Sequence, residues 1–256
     1  MLDRRVFLGS LLATAAAARP TEVPSRTAKV ERLFKSPDGH PNALEASSEG
    51  LWVADQITDR AHLMSWDGKL IKTVETESSN TSGMAYGGGF LWMAANGKAM
   101  RRTPRPTDAS RGEVLKVDPA TGKTIARYPL PDGGGVHGLE YTREGLWVTF
   151  LKSRKLALVD PKDFHVIRQI PMQFDRAHGL GRDRDGIWVV FTSDRVIQKL
   201  DVKDGRVLEQ ISIAKEDPEP HGMCLHNGHL YYCDAGLELG GKGPDGKWAG
   251  WICRIA

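Results

Sequence analysis

Apolar and polar positions alternate along this chain in short runs, separated by Gly, Asp, Asn and Pro breaks, and helical periodicity is almost absent. Aligned on itself, the chain gives five ungapped matches: "NALEASSEGLWV" (42–53), "SGMAYGGGFLWM" (82–93), "HGLEYTREGLWV" (137–148), "HGLGRDRDGIWV" (178–189) and "HGMCLHNGHLYY" (221–232). Each predicts a strand, a Gly-containing turn and a second strand with a large aromatic residue at one fixed place: Trp52, Trp92, Trp147, Trp188 and Tyr231. A third strand follows, as in "EVLKVD" or "VIQKLD", then a turn such as "DPATG" and a fourth strand such as "KTIARYPL". Four antiparallel strands in a unit of about 40 residues define a propeller blade. The last unit ends after "GWICRIA" without a fourth strand, and a spare one, "AKVERLFKS" (28–36), precedes the first unit. The expected fold is therefore all-β, a five-bladed β-propeller over residues 19–256, closed by the N-terminal strand completing the last blade.

Blade topology puts the first repeat position at the mouth of the central channel. Around the ring that position is Asn42, Ser82, His137, His178 and His221, so three adjacent blades aim imidazoles at one small volume. The loops between second and third strands open on the same face and are long in blade two (96–112) and blade five (235–250), where a binding loop or lid is expected on each and Trp248 is expected to line a pocket. Asp55 and Asp234 stand three residues beyond the aromatic of blades one and five, and are expected to contact a cation or substrate hydroxyls, or else to cap their turns. Glu45 and Glu140 are also equivalent, and strand alternation turns them toward a neighbouring blade.

Charge and composition narrow the classes. The net charge of +3 is spread along the chain, so no basic stripe marks a nucleic-acid binder, and no GxSxG elbow, Walker loop or Rossmann fingerprint occurs. The N-terminus "MLDRRVFLGSLLATAAAARP" pairs Arg4 and Arg5 ahead of a short apolar run, the pattern of a twin-arginine export signal over residues 1–18. The mature protein is then expected to be periplasmic or secreted in a bacterium, without stable membrane insertion, and monomeric. Cys224, Cys233 and Cys253 lack metal or redox spacing and are expected to be buried thiols.

Three neutral imidazoles in a channel are ligands for a borderline divalent cation such as zinc or manganese, or one of them works as a general acid or base. Glu219, two residues before His221, points a carboxylate at the same mouth.

The repeated "HGL…DG(I/L)WV" hairpins and "EPHG" (219–222), with another "HG" one blade earlier, resemble the streptogramin lyase family, also called virginiamycin B lyases. The resemblance implies a divalent ion, magnesium by preference, and an elimination that opens an ester C–O bond. It implies that Glu219 is the metal-binding carboxylate, His221 the catalytic acid/base and His178 its catalytic and metal-binding neighbour; His137 extends the metal set. That family has seven blades where five are counted here, which narrows the channel. The expected function is a metal-dependent C–O lyase acting on a small-molecule or oligomeric substrate, with Asn42, Ser82, Asp55, Asp234 and Trp248 as substrate contacts. A lactonase-type hydrolase uses the same parts, and a non-catalytic ligand- or protein-binding propeller uses the same face. The five-bladed glutamine cyclotransferase-like group agrees in blade count, without a counterpart of its site motifs.

Overall fold

The alternating runs become strands and the Gly- and Asp-bearing breaks become turns. The computed structural model describes residues 22–99, 102–235 and 250–256. The expected export signal and Trp248 lie outside the described residues. Blade one holds β3 (Pro41–Ala46), β4 (Leu51–Asp55), β5 (Arg60–Met64) and β6 (Leu70–Glu75); blade two holds β7 (Thr81–Gly87), β8 (Phe90–Asn96), β9 (Gly112–Val117) and β10 (Thr124–Pro129). Blade three holds β11 (Leu139–Thr142), β12 (Gly145–Phe150), β13 (Lys155–Val159) and β14 (Val166–Pro171), and blade four β15 (Ala177–Arg182), β16 (Ile187–Phe191), β17 (Val196–Leu200) and β18 (Val207–Ser212). Blade five is β19 (Met223–His226), β20 (His229–Cys233), β21 (Trp251–Ile255) and, as its outermost strand, β2 (Val30–Lys35).

The ring therefore closes as the sequence predicts, with β2 antiparallel to β21 in the register Val30↔Ile255 to Lys35↔Trp251. One strand was not expected: β1 (Ser25–Thr27) pairs parallel with β18 of blade four before the chain crosses to blade five. Three exposed residues carry no periodicity of their own, so only their position beside an open edge makes them a strand. Among the described residues no helix is long and apolar enough to cross a membrane.

The core lies between blades. Trp52 packs with Met84, Leu91 and Met93 of blade two, Trp92 with Leu139 and Leu146 of blade three, and Trp147 with Leu180, Ile187 and Phe191 of blade four. Trp188 reaches Met223 and Tyr232 of blade five, and Tyr231 reaches Leu44 and Val53 of blade one. The repeated aromatic is thus the wedge of each blade junction. The three cysteines are free and buried in the last junctions, where burial raises each thiol, Cys253 to about 12.

Near the axis the packing is backbone on backbone. A Cβ on Gly83 would overlap the His137 carbonyl oxygen, and one on Gly138 the His178 carbonyl oxygen. On Gly179 it would overlap the Met223 amide nitrogen, and on Gly222 the Cα of Ala43. This explains the glycine of the repeated "HG": five innermost strands converge on an axis too narrow for a side chain there. Two residues beyond the histidine position, Leu44, Met84, Leu139, Leu180 and Met223 are buried and border the small axial void, so apolar side chains close the channel beneath the polar mouth.

Glu45 and Glu140 turn away from the axis, as strand alternation requires, and each accepts a backbone N–H from the next blade, of Tyr86 and Arg182 respectively. Burial pushes both carboxyls up, Glu140 to about 8, and the charge of Glu140 adds to the rise at Glu45. A raised folded-state pKa contributes stability that is complete below the unfolded value of 4.5 and is lost as pH rises through about 8. Glu140→Gln, which keeps an acceptor for the Arg182 N–H, is expected to flatten the fall in Tm between those limits. Thermal melts of parent and variant across that window check this; parallel curves would overturn it.

Candidate functional site

Where the five innermost strands meet, the channel mouth widens into a polar cavity of about 230 Å³. Its floor is the repeat position: Asn42, His137, His178 and His221 line it, and the last two are 1% exposed. Ring centroids lie 4.4 Å apart for His137 and His178 and 4.9 Å for His178 and His221. Ser82, the blade-two member, does not line this cavity. It lies beneath, bordering the axial void, and its hydroxyl donates to the Asn80 carbonyl at 3.1 Å.

A second tier stands two residues earlier in each blade, in the segment that leads into the innermost strand. His40, Asn80 and Arg176 line the upper cavity, and Glu219 holds the equivalent place in blade five. The blade-three member is Gly135, where a Cβ would meet the Asn96 side-chain oxygen at 2.6 Å, so the glycine lets that amide approach. Gln56 and Asn96, four residues beyond Trp52 and Trp92, come in from the second strands. Of these, only Glu219 was singled out from the sequence; its repeat equivalents, two residues before each repeat position, are His40, Asn80 and Arg176.

Hydrogen bonds fix the state of two imidazoles. Gln56 Nε2 donates to Asn80 Oδ1 at 2.6 Å, Asn80 Nδ2 donates to the Asn96 carbonyl at 3.1 Å, and Asn96 Oδ1 accepts the Val136 N–H at 3.2 Å. The last bond orients the Asn96 amide, so its Nδ2 is the group 3.0 Å from His137 Nε2 and must donate. His137 is then neutral with its proton on Nδ1. Burial, and secondarily the charge of Arg176, lowers its pKa to about 3. Burial also drives His178 well below the ordinary range. His221 Nε2 lies 2.9 Å from Glu219 Oε2, and the hydrogen bond to His221 is the main cause that holds the Glu219 carboxyl below the usual range. With the carboxylate accepting from Nε2, the neutral form of His221 keeps its lone pair on Nδ1. Nδ1 of all three histidines is buried and has no hydrogen-bond partner among the described residues.

The expected metal set of Glu219, His178 and His137 is not assembled: Glu219 is spent on His221, while His137 and His178 are packed ring against ring. Among the described residues, the group of three whose ligand atoms all lie within 4.8 Å of one another is instead Asp160, Asp163 and His165. It occupies the β13–β14 turn, which blade topology puts on the face opposite the cavity. There Asp160 and Asp163 also accept the N–H groups of Lys162 and His165.

The two aspartates expected at the top face have other employment or another place. Asp55 is fully buried and accepts the N–H groups of His40, Ile57 and Thr58 at 2.6, 2.9 and 2.8 Å, because the turn after β4 leaves those donors without strand partners. It is a turn cap and does not line the cavity. Asp234 follows β20, with its N–H bonded to the Trp251 carbonyl, and does not line the cavity either.

The blade-two loop departs from the lid expectation over residues 102–112. Arg102 contacts Asp59 of blade one at 2.6 Å and grips Asp108 with two bonds, while the Ala109 N–H donates to Ser79. These ion pairs tie the loop to the junction of blades one and two. There Arg102 and Arg105 border a shallower cavity of about 510 Å³ that adjoins the axial one at Ile57. Residues 236–249 of the blade-five loop lie outside the described residues.

The geometry defines a class, a closed five-bladed propeller with a histidine-floored axial pocket. Solved structures with a similar propeller fold include glutaminyl cyclase from Myxococcus xanthus, at 11% identity and a TM-score of 0.66, with 91% of this chain and 98% of that one covered. A streptogramin B lyase matches at 14% identity and TM-score 0.52 over 89% of this chain and 97% of that one. A catalytically inactive virginiamycin B lyase from Staphylococcus aureus, solved with quinupristin, matches at 15% identity and TM-score 0.51 over 86% and 67%. The resemblance to streptogramin lyases thus extends to the fold. No family model and no curated protein matches the chain.

Proposed function

We propose that the axial pocket is the active site of a C–O lyase acting on a small carbonyl compound with an oxygen leaving group on the β carbon. The observation that carries this reading is the opposed protonation of two imidazoles in one cavity. Glu219 leaves His221 Nδ1 as a base, and Asn96 leaves His137 Nδ1 as a donor. A neutral imidazole donor polarises a carbonyl without itself carrying charge, and a carboxylate-backed imidazole takes a proton.

In the reaction His221 removes the proton α to the carbonyl through Nδ1, which is covered in the resting pocket and is reached once the substrate is seated, and the C–H electron pair becomes the C=C bond. The β C–O pair departs with the leaving oxygen, which takes the proton that His221 removed, so that the ring returns to its neutral state; His178 stands between the other two rings. His137 Nδ1–H bonds the carbonyl oxygen as negative charge develops. The divalent ion expected from the sequence is given no step, because Glu219, His137 and His178 do not come together as ligands. Export by the twin-arginine route, a periplasmic or secreted location and a monomeric state belong to the same reading and rest on the sequence.

The test is incubation of the purified protein in ¹⁸O-labelled water with β-acyloxy and β-alkoxy esters and acids. The conjugated alkene product is expected, with no solvent oxygen in the released acid or alcohol and a slower reaction when the α carbon carries deuterium. Acyl cleavage with solvent oxygen incorporated and no alkene would sink the lyase reading in favour of a lactonase-type hydrolase.

A further inference from the structure

We propose that Arg176 is the specificity-determining residue of this pocket and that the substrate carries a carboxylate, which the guanidinium holds at the cavity mouth. The inference rests on the pocket being the active site and names the class of molecule it takes.

Arg176 lines the cavity one residue before β15, in the upper tier directly above His178. Its backbone has φ of +50°, a left-handed conformation that a non-glycine residue adopts at a cost. The side chain is exposed, and among the described residues its hydrogen bond is a long one of 3.5 Å to the Ser193 hydroxyl. Other arginines around this face are committed: Arg102 to Asp59 and Asp108, Arg60 to Glu75. The charge of Arg176 nonetheless reaches the pocket, adding to the effect of burial at His137 and to that of the His221 hydrogen bond at Glu219.

Among the described residues the cavity lining other than Arg176 is amide, imidazole and Ile57, and the nearby carboxylates are engaged, Glu219 by His221 and Asp55 by backbone N–H groups. A single planar guanidinium above a neutral polar floor matches a single planar carboxylate, which it can hold through two parallel bonds. The cavity, at about 230 Å³, is of a size for a small molecule held at one end by that pair and at the other by the histidines.

The experiment is an NMR titration of the intact protein, following the histidine ring protons, with β-phenoxypropionate and with its neutral amide. The parent is expected to bind the carboxylate roughly tenfold to a hundredfold more tightly than the amide. Arg176→Gln is expected to erase the preference, and Arg176→Lys to keep part of it. His221→Asn is expected to retain the preference while losing turnover, which separates the two readings. A preference that persists in a His221→Asn protein with undiminished turnover would remove the mechanism and leave the anchor. Equal affinity for acid and amide, no binding of the acid by the parent, or an unchanged preference in Arg176→Gln would each overturn the anchor.

Discussion

His221→Asn is expected to slow elimination by about 10²–10⁴-fold with little change in KM. Asparagine fills similar space and keeps a polar group toward Glu219, but it offers no nitrogen lone pair to take the α proton. The loss should therefore fall on kcat. Glu219→Gln tests the other half of the pair. It retains an oxygen acceptor for His221 Nε2–H, yet it lacks the charge that stabilises the imidazolium formed in the reaction, so it too is expected to lower kcat. The ring nitrogens give an independent readout. Nitrogen-15 shifts are expected to show His221 protonated on Nε2 and His137 on Nδ1, as their partners Glu219 and Asn96 require. Glu219→Gln should weaken the first assignment and leave the second. A His221→Asn enzyme within about tenfold of the parent rate would remove His221 from the mechanism.

Gly222→Val is expected to produce a large loss of stability. A Cβ at this position overlaps the Cα of Ala43, and the carbonyl carbon of Ala43 and the nitrogen of Leu44 lie within 2.7 Å of it. All three are backbone atoms of the blade-one inner strand, which cannot swing aside as a side chain does. Overpacking of this kind costs about 1–3 kcal/mol and often more where nothing can rotate away. A cost near 3 kcal/mol lowers Tm by roughly 6–12 °C in a chain of this size. Gly222→Ala should lie between parent and Gly222→Val. Calorimetry on the three proteins decides it, and an unchanged Tm for Gly222→Ala would mean that the inner strands separate freely.

Both predictions start from one dipeptide. "HG" recurs because its two residues answer different demands at the same height in the ring: glycine permits the inner strands to touch, and histidine stands at the mouth. The cavity then depends on the glycines for its dimensions and on the histidines for its chemistry.

What was legible in the sequence is what repeats or alternates. The hairpin motif, its aromatic wedge, the blade count and the completion of blade five by residues 30–35 all follow from local patterning, since strand period and turn residues act over a few positions. The shared level of Asn42, His137, His178 and His221 follows from the same register, as does the turn of Glu45 and Glu140 toward the next blade. Alternation cannot say which polar group bonds which across blades. That Glu219 serves His221 rather than joining His137 and His178, that Asn96 sets the His137 tautomer, and that Asp55 is consumed by its turn are outcomes of three-dimensional proximity between segments up to 41 residues apart or of local turn geometry. Ser82 shows the limit most plainly. It occupies the histidine position of its repeat, yet lies beneath the cavity while Asn80 takes the place at the wall, because only the closed ring of five inner strands sets the height at which the channel ends.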